Sequence, residues 1–292
     1  MDGIPDKYVN PLTDFGFKKL FGSEPNKDLL IDFLNQLLPE HHQIESLTYA
    51  SNEHLGGHEL DRRAVFDLYC IAQSGERFIV EVQKAKQNFF KDRSVFYASF
   101  PIREQAKTGE WNFQLKAVYT VGVLDFIFDE SESNDVVHLV ELKDQHCRVF
   151  YDKLKFIYIE LPRFKKDSDN LDTQLDKWLY VLRHLSRLND RPRALQERVF
   201  QKLFAAAEVA QFSPDERVAY QNSLKHYWDM NNVVETSREE GREEGIEEGI
   251  EIGQQSAMLQ VAKSMLQAGE PIEKIISFTG LDKQDIEALR SA

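Results

Sequence analysis

A chain of 292 residues that is 42% hydrophobic, with 20 Phe, has the material for one large α/β domain and an accessory segment. No apolar run approaches the roughly 18–20 residues of a membrane span, no leader pattern follows Met1-Asp2-Gly3, and Cys70 and Cys147 form no ligand-like pair; a soluble protein in a reducing cytoplasm is expected. The net charge of −13 excludes a uniformly basic nucleic-acid binder, yet residues 84–116 hold seven Lys or Arg against three acids, so a basic patch can coexist with an acidic total.

In chain order, the first helix begins near Asn10-Pro11, runs through Phe15, Lys18, Lys19, Leu20 and Phe21, and ends at Gly22. A second follows Ser23-Glu24-Pro25 and carries Leu29, Leu30, Phe33, Leu34, Leu37 and Leu38 at helical spacing before Pro39 stops it. A strand is expected at residues 44–49, then two apolar strands at 64–72 and 78–83 around the turn signal Gln73-Ser74-Gly75-Glu76. A helix over 88–108, closed by Gly109, precedes a buried strand at 115–124. Strands at 136–142 and 156–161 and helices at 171–188, 195–212 and 215–230 complete a main domain of residues 1–232, in which strands intermixed with helices indicate an α/β layered fold.

The composition changes at Glu235, where eight Glu and two Arg fall within residues 235–251. Gly241, Gly245, Gly249 and Gly253 recur every four residues, which places them on one slowly drifting helical stripe. Each glycine weakens a helix by about 1 kcal/mol relative to alanine. The helix in this tail, residues 233–292, is therefore expected to depend on self-association into a homo-oligomer and to fray in a monomer. Short amphipathic helices follow at 257–266 and 272–278, and Asp282 can cap a last one. The helix–turn–helix rhythm there ends in a helix with Asp282, Asp285 and Glu287 against Lys283 and Arg290, a charge better suited to a protein contact than to a DNA groove.

The chemistry is concentrated in the two apolar strands. Asp67 interrupts Ala64-Val65-Phe66-Asp67-Leu68-Tyr69-Cys70-Ile71, and a carboxylate in such a run needs a cation or a strong donor. Glu81 and Gln83 end the next strand and share one face. A two-residue loop at Ser74-Gly75 sets Asp67 opposite Val82, with Glu81 on the wrong side. A three-residue loop, Gln73-Ser74-Gly75, sets Asp67 opposite Glu81 and diagonal to Gln83, with Gly75 at the position that needs a left-handed conformation. The second arrangement is expected. Two carboxylates at cross-strand distance repel unless a divalent cation joins them, and oxygen ligands suit Mg2+ or Mn2+.

Asp67 followed by Glu81-x-Gln83 on adjacent strands resembles the PD-(D/E)XK nuclease core. More specifically, the chain resembles the Rpn family of recombination-promoting nucleases, also described as PD-(D/E)XK family transposases. That resemblance includes Asn10-Pro11-Leu12-Thr13-Asp14-Phe15-Gly16-Phe17-Lys18-Lys19-Leu20-Phe21-Gly22, Val80-Glu81-Val82-Gln83, the helix with Arg93 and Tyr97, and the acidic glycine-repeat tail. It implies a restriction-endonuclease-like three-layer core with a mixed sheet flanked by helices, followed by a helical C-terminal tail. It also implies a divalent-metal-dependent DNA endonuclease linked to recombination or mobile elements. Asp67 and Glu81 then correspond to metal ligands, Asp14 to a helix-borne acid completing the site, and Lys18, Lys84, Arg93 and Tyr97 to DNA contacts. Gln83 stands where the superfamily has a lysine; an amide can orient water but cannot act as a base. Lys84, on the adjacent strand face, needs a bulge to take that lysine's place.

Other sites are weaker. His54 and His58 have i, i+4 spacing, but Gly56-Gly57 between them opposes the helix that a zinc site would need. No nucleophile elbow or phosphate-binding glycine loop is present. One alternative stays open, a non-catalytic DNA-binding or assembly protein on a degenerate nuclease scaffold. An RNase-H-like transposase also uses clustered carboxylates but needs a further acid on a different strand pattern, which the sequence does not offer.

Overall fold

Strands of alternating or continuous apolar character pair into one mixed six-stranded sheet, and helices cover both of its faces. The computed structural model describes residues 6–39, 42–51, 53–54, 64–106, 112–128 and 134–291. Its elements are α1 (Asp14–Phe21), α2 (Lys27–Asn35), β1 (Leu47–Tyr49), β2 (Glu53–His54), β3 (Ala64–Val65), β4 (Leu68–Ala72), β5 (Arg77–Gln83), α3 (Phe90–Arg103), β6 (Val118–Leu124), β7 (Val137–Lys143), β8 (Val149–Glu160), α4 (Gln174–His184), α5 (Arg198–Ala207), α6 (Pro214–Gln267), α7 (Ile272–Thr279) and α8 (Lys283–Ser291). Two compact units meet between Asn231 and Asn232.

In the first unit the strand order is β1-β4-β5-β6-β8-β7. Strands β5, β6 and β8 are parallel, β4 pairs antiparallel with β5 and β1 antiparallel with β4, and β7 returns antiparallel on β8. The pleat assigns side chains to layers. Cys70, Phe78, Val80, Tyr119, Val121, Val123 and Ile157 face a large core with Phe17, Leu29, Phe33, Trp178 and Phe200 of α1, α2, α4 and α5. The opposite side chains, Tyr69, Ile79, Val118 and Tyr158, pack under α3 with Phe66, Phe90, Ala98 and Phe100. The architecture is α/β, helix–sheet–helix. The parallel step from β5 to β6 passes through α3, so that helix lies over the sheet face that carries Glu81 and Gln83.

The segment Asn10-Pro11-Leu12-Thr13 fixes the start of α1. Asn10 Oδ1 accepts from the Leu12 N–H at 2.9 Å, Thr13 Oγ1 donates to the Asn10 carbonyl at 2.8 Å, and the same hydroxyl caps the helix by accepting from Gly16 N–H at 3.0 Å. A Cβ on Gly16 would stand 2.0 Å from the Asn10 carbonyl oxygen. Gly16→Ala must therefore push apart the loop that holds Asp14 and is expected to cost roughly 2–4 kcal/mol, read as a lower urea midpoint at unchanged slope.

Several expected elements differ. The run 64–72 is not one strand: Ala64–Val65 pairs with Glu53–His54 in a separate small sheet, and the main-sheet strand starts only at Leu68. Strand β8 begins at Val149 rather than 156, because its first half pairs with β7 while Asp152, Lys153 and Lys155 break the apolar pattern there. The expected helices 215–230 and 257–266 and the fraying segment between them are one helix, α6. Nothing lies within 4 Å of the space a Cβ would fill at Gly241, Gly245, Gly249 or Gly253; Glu and Arg, good helix formers, fill most of the positions between them. In the second unit Ala262, Ile275 and Ile286 form a small core joining the end of α6 to α7 and α8. Among the described residues no helix is long and apolar enough to cross a membrane.

Candidate active site

The β4–β5 hairpin decides whether the acids meet. Leu68 pairs with Val80, Tyr69 with Ile79 and Cys70 with Phe78. Ala72 N–H donates to Glu76 O and Gly75 N–H to Ala72 O, both at 2.9 Å, with Gly75 at φ +96°. The loop is thus Gln73-Ser74-Gly75, the three-residue form expected from the sequence. Continuing the register by one step brings Asp67 opposite Glu81.

At that step the ladder changes character. Hydrogen-bonded pairs alternate along an antiparallel ladder, so counting by twos from Ala72–Glu76 makes Phe66 the residue due to accept from Val82 N–H. Instead Asp67 Oδ2 accepts it at 2.7 Å. Phe66 turns to join Tyr69 and Ile79 beneath α3. The carboxylate thus ends the strand and is fixed by a main-chain donor of its neighbour.

Glu81 lies on the α3 face of β5. Its Oε2 accepts from Gln83 Nε2 at 3.0 Å and sits 3.7 Å from Arg93 Nη2. Arg93 also bonds Gln87 Oε1 and lies 5.4 Å from the centre of the Tyr97 ring. Tyr97 packs edge-on against Phe66, so its ring supports Arg93. Burial raises the Asp67 pKa, a trend that the Val82 N–H opposes and the charge of Asp14 adds to. Burial, then the charge of Asp67, pushes Glu81 up to about 7, against the pull of Arg93 and Gln83.

An open cleft of about 830 Å³ is lined by Asp14, Lys18, Asp67, Gln83, Lys84 and Arg93, with one wall from α6. Glu81 lies just behind this lining, its side chain 12% exposed. Asp14, in the first turn of α1, is paired with Lys18 at 2.7 Å. The β5–β6 register runs unbroken from Arg77 to Gln83, and Lys84, one residue past the strand, lines the cleft. Its ammonium lies 5.3 Å from the Tyr227 ring centre; burial lowers its pKa while the charges of Asp14 and Asp67 act the other way.

The contribution of α6 was missed in the sequence. Ala219, Ser223, His226 and Met230 line the cleft from one helical face. Ser223 Oγ accepts from Phe15 N–H at 3.1 Å, Tyr220 OH accepts from Asn10 N–H at 2.9 Å, and Tyr227 OH donates to Asp125 Oδ2 at 2.9 Å. The signal available was the 219, 223, 226, 230 spacing of Ala, Ser, His and Met, which reads as an ordinary surface stripe until its partner is known. The pair His54 and His58 lies outside the described side chains.

Among the described residues no group of three or more His, Cys, Asp or Glu forms a ready-made metal cage. Two buried carboxylates, of which Asp67 raises the proton affinity of Glu81, with Oδ1 of Asp67 and Oε1 of Glu81 outside the contacts above, do fit a hard cation that keeps several of its waters. Softer metals need sulfur or imidazole donors that this pair does not offer.

Residues 11–237 match the family described as PD-(D/E)XK nuclease family transposase. No curated protein and no solved structure matches the chain. The matched span takes in the Thr13-capped helix α1, the β4–β5 hairpin with Asp67 and Glu81, and the α6 wall of the cleft. The chain belongs to the PD-(D/E)XK nuclease family transposases.

Proposed function

We propose that this protein is a divalent-metal-dependent DNA endonuclease of the cytoplasm, acting in recombination or on mobile elements. The observation that carries the reading is the hairpin register, which pairs Leu68 with Val80 one step before Asp67 and Glu81, beside a cleft lined by Asp67, Lys84 and Arg93. Family membership supports a link to nucleases and mobile elements. Asp67 and Glu81 would hold Mg2+ or Mn2+. The chemistry such an ion supplies is activation of water and neutralisation of charge building on the phosphate. Gln83 orients a water through its amide, and Asp14 completes the acidic set from α1. Lys18, Lys84 and Arg93, backed by Tyr97, bind the phosphates of DNA. Supercoiled plasmid is expected to be nicked with Mg2+ or Mn2+ and left intact with excess chelator; equal nicking under both conditions would remove the metal from the proposal.

A second reading, a DNA-binding or assembly protein on a degenerate nuclease scaffold, is favoured by one feature. The Oε2 of Glu81 is already shared between the Gln83 amide and Arg93, and Gln83 carries no charge. Calorimetric titration with Mn2+ separates the two: the nuclease binds metal and Glu81→Gln does not, whereas the inert scaffold binds none in either form.

We assign residues 1–232 to the nuclease domain and 233–292 to assembly. The open glycine stripe at Gly241, Gly245, Gly249 and Gly253, beside exposed Ile246 and Ile250, allows close approach of a second helix. Light scattering is expected to give a multiple of the 34.0 kDa chain mass for the full protein and a single mass for a chain ending at Asn231. The same stoichiometry in both would end the assembly role.

A further inference from the structure

Two adjacent phenylalanines at the start of α3 have opposite fates. Phe90 is 8% exposed and packs edge-on against Phe126 and Tyr158. Phe89 is 78% exposed and sits at φ 60°, ψ 29°. A left-handed conformation is costly for a residue with a bulky side chain, and an exposed ring gives up the benefit of burial. Both unfavourable features fall on one residue at the rim of the catalytic cleft. Phe90 N–H donates to Gln87 O at 3.3 Å and Arg93 N–H to Phe89 O at 2.9 Å, and Gln87 and Arg93 both line the cleft.

The surroundings define what such a ring can meet. Residues 84–93 carry Lys84, Lys86, Lys91 and Arg93 against Asp92 alone. A flat apolar face set among cations suits a polyanion that has flat apolar faces of its own, which is nucleic acid. We propose that Phe89 is a DNA wedge: the basic residues hold the phosphates, and the ring stacks on a base pair, opening the base step beside the phosphate presented to Asp67. This rests on the nuclease reading for its target and assigns the enzyme a preference for base steps that unstack easily.

Phe113 provides an internal comparison. It is 77% exposed and also left-handed, at φ 59°, but Gln105 bonds the Lys116 main chain and so ties its segment to the other end of α3, roughly 20 Å away along a 14-residue helix.

The test uses the full chain in chelator, so that no cutting intervenes, with short duplexes containing 2-aminopurine at scattered adenine positions. Wild-type protein and Phe113→Gly are expected to raise the fluorescence. Phe89→Gly is expected to lose that rise and about tenfold or more in duplex affinity, while Phe89→Trp restores both. Glycine relieves the backbone strain, so Phe89→Gly should melt at the same or a higher temperature than wild type, which separates loss of the wedge from loss of fold. No rise with wild type, or an equal rise with Phe89→Gly, overturns the wedge. Asp67→Asn keeps the rise in chelator and, on plasmid with Mg2+ or Mn2+, loses nicking. A Phe89-dependent rise in a protein that never nicks would retain the wedge and reject the nuclease.

Discussion

Asp67→Asn is expected to reduce plasmid nicking on the order of 1000-fold or more while leaving the protein folded. Asparagine is nearly isosteric, and its side-chain oxygen can still accept the Val82 N–H that the carboxylate accepts at 2.7 Å. The strand end and the turn of Phe66 into its pocket should therefore survive. What disappears is the negative charge that can hold a cation opposite Glu81, and with it charge stabilisation in a partly buried site. Burial raises the Asp67 pKa, so the native protein bears a desolvation penalty there that the neutral amide does not. Melting temperature should stay level or rise. Duplex affinity should hold or improve, since a negative group leaves the cleft that the proposed function assigns to phosphate. Single-turnover cleavage, thermal melting and DNA binding on one preparation check all three. A variant that nicks as fast as wild type would end the catalytic assignment; one that unfolds would mean that the hydrogen bond needs the ionised form.

How far the sequence could lead depended on whether the deciding contacts were local. The hairpin was legible because Gly75 can adopt the left-handed conformation that a three-residue loop demands, and that loop fixes the register of every later pair. The break at Asp67 was not legible. Ala64 to Ala72 reads as one apolar strand, and only the competition between a carboxylate and a main-chain carbonyl for Val82 N–H ends it early. The first half of β8 was lost for a related reason: it gains its pairing from β7, and its charged residues hide the alternation. Lys84 lies one residue past the end of β5 and lines the cleft, a placement that the two-residue period of the strand does not carry. The α6 wall escaped because its partners, Asn10, Phe15 and Asp125, are roughly 100 to 210 residues away in sequence, beyond any periodicity.

Glu81→Gln is expected to stabilise the fold and abolish nicking together, and the pH at which each effect develops follows from one shift. Burial, with Asp67 nearby, raises the Glu81 pKa from the ordinary 4.5 to about 7. Between those values the folded state binds more protons than the unfolded chain, so stability falls as pH rises through the window and the cost is complete above it. A shift of this size corresponds to about 3 kcal/mol, and Arg93, 3.7 Å away, already offsets part of the bare burial cost. At pH 8 the glutamine variant should melt several degrees above wild type; at pH 4 the two should nearly coincide. Metal reverses the order: a cation held by the ionised pair stabilises only the native state, so Mn2+ should raise the wild-type melting temperature at pH 8, do little at pH 5.5, and leave Glu81→Gln unmoved. Nicking at limiting metal should rise with pH up to about 7 and then level off, because protonated Glu81 cannot hold the ion. If Glu81→Gln instead lowered the melting temperature at pH 8, the carboxylate would be a structural anchor for Arg93 and α3, and the raised pKa would have no catalytic meaning.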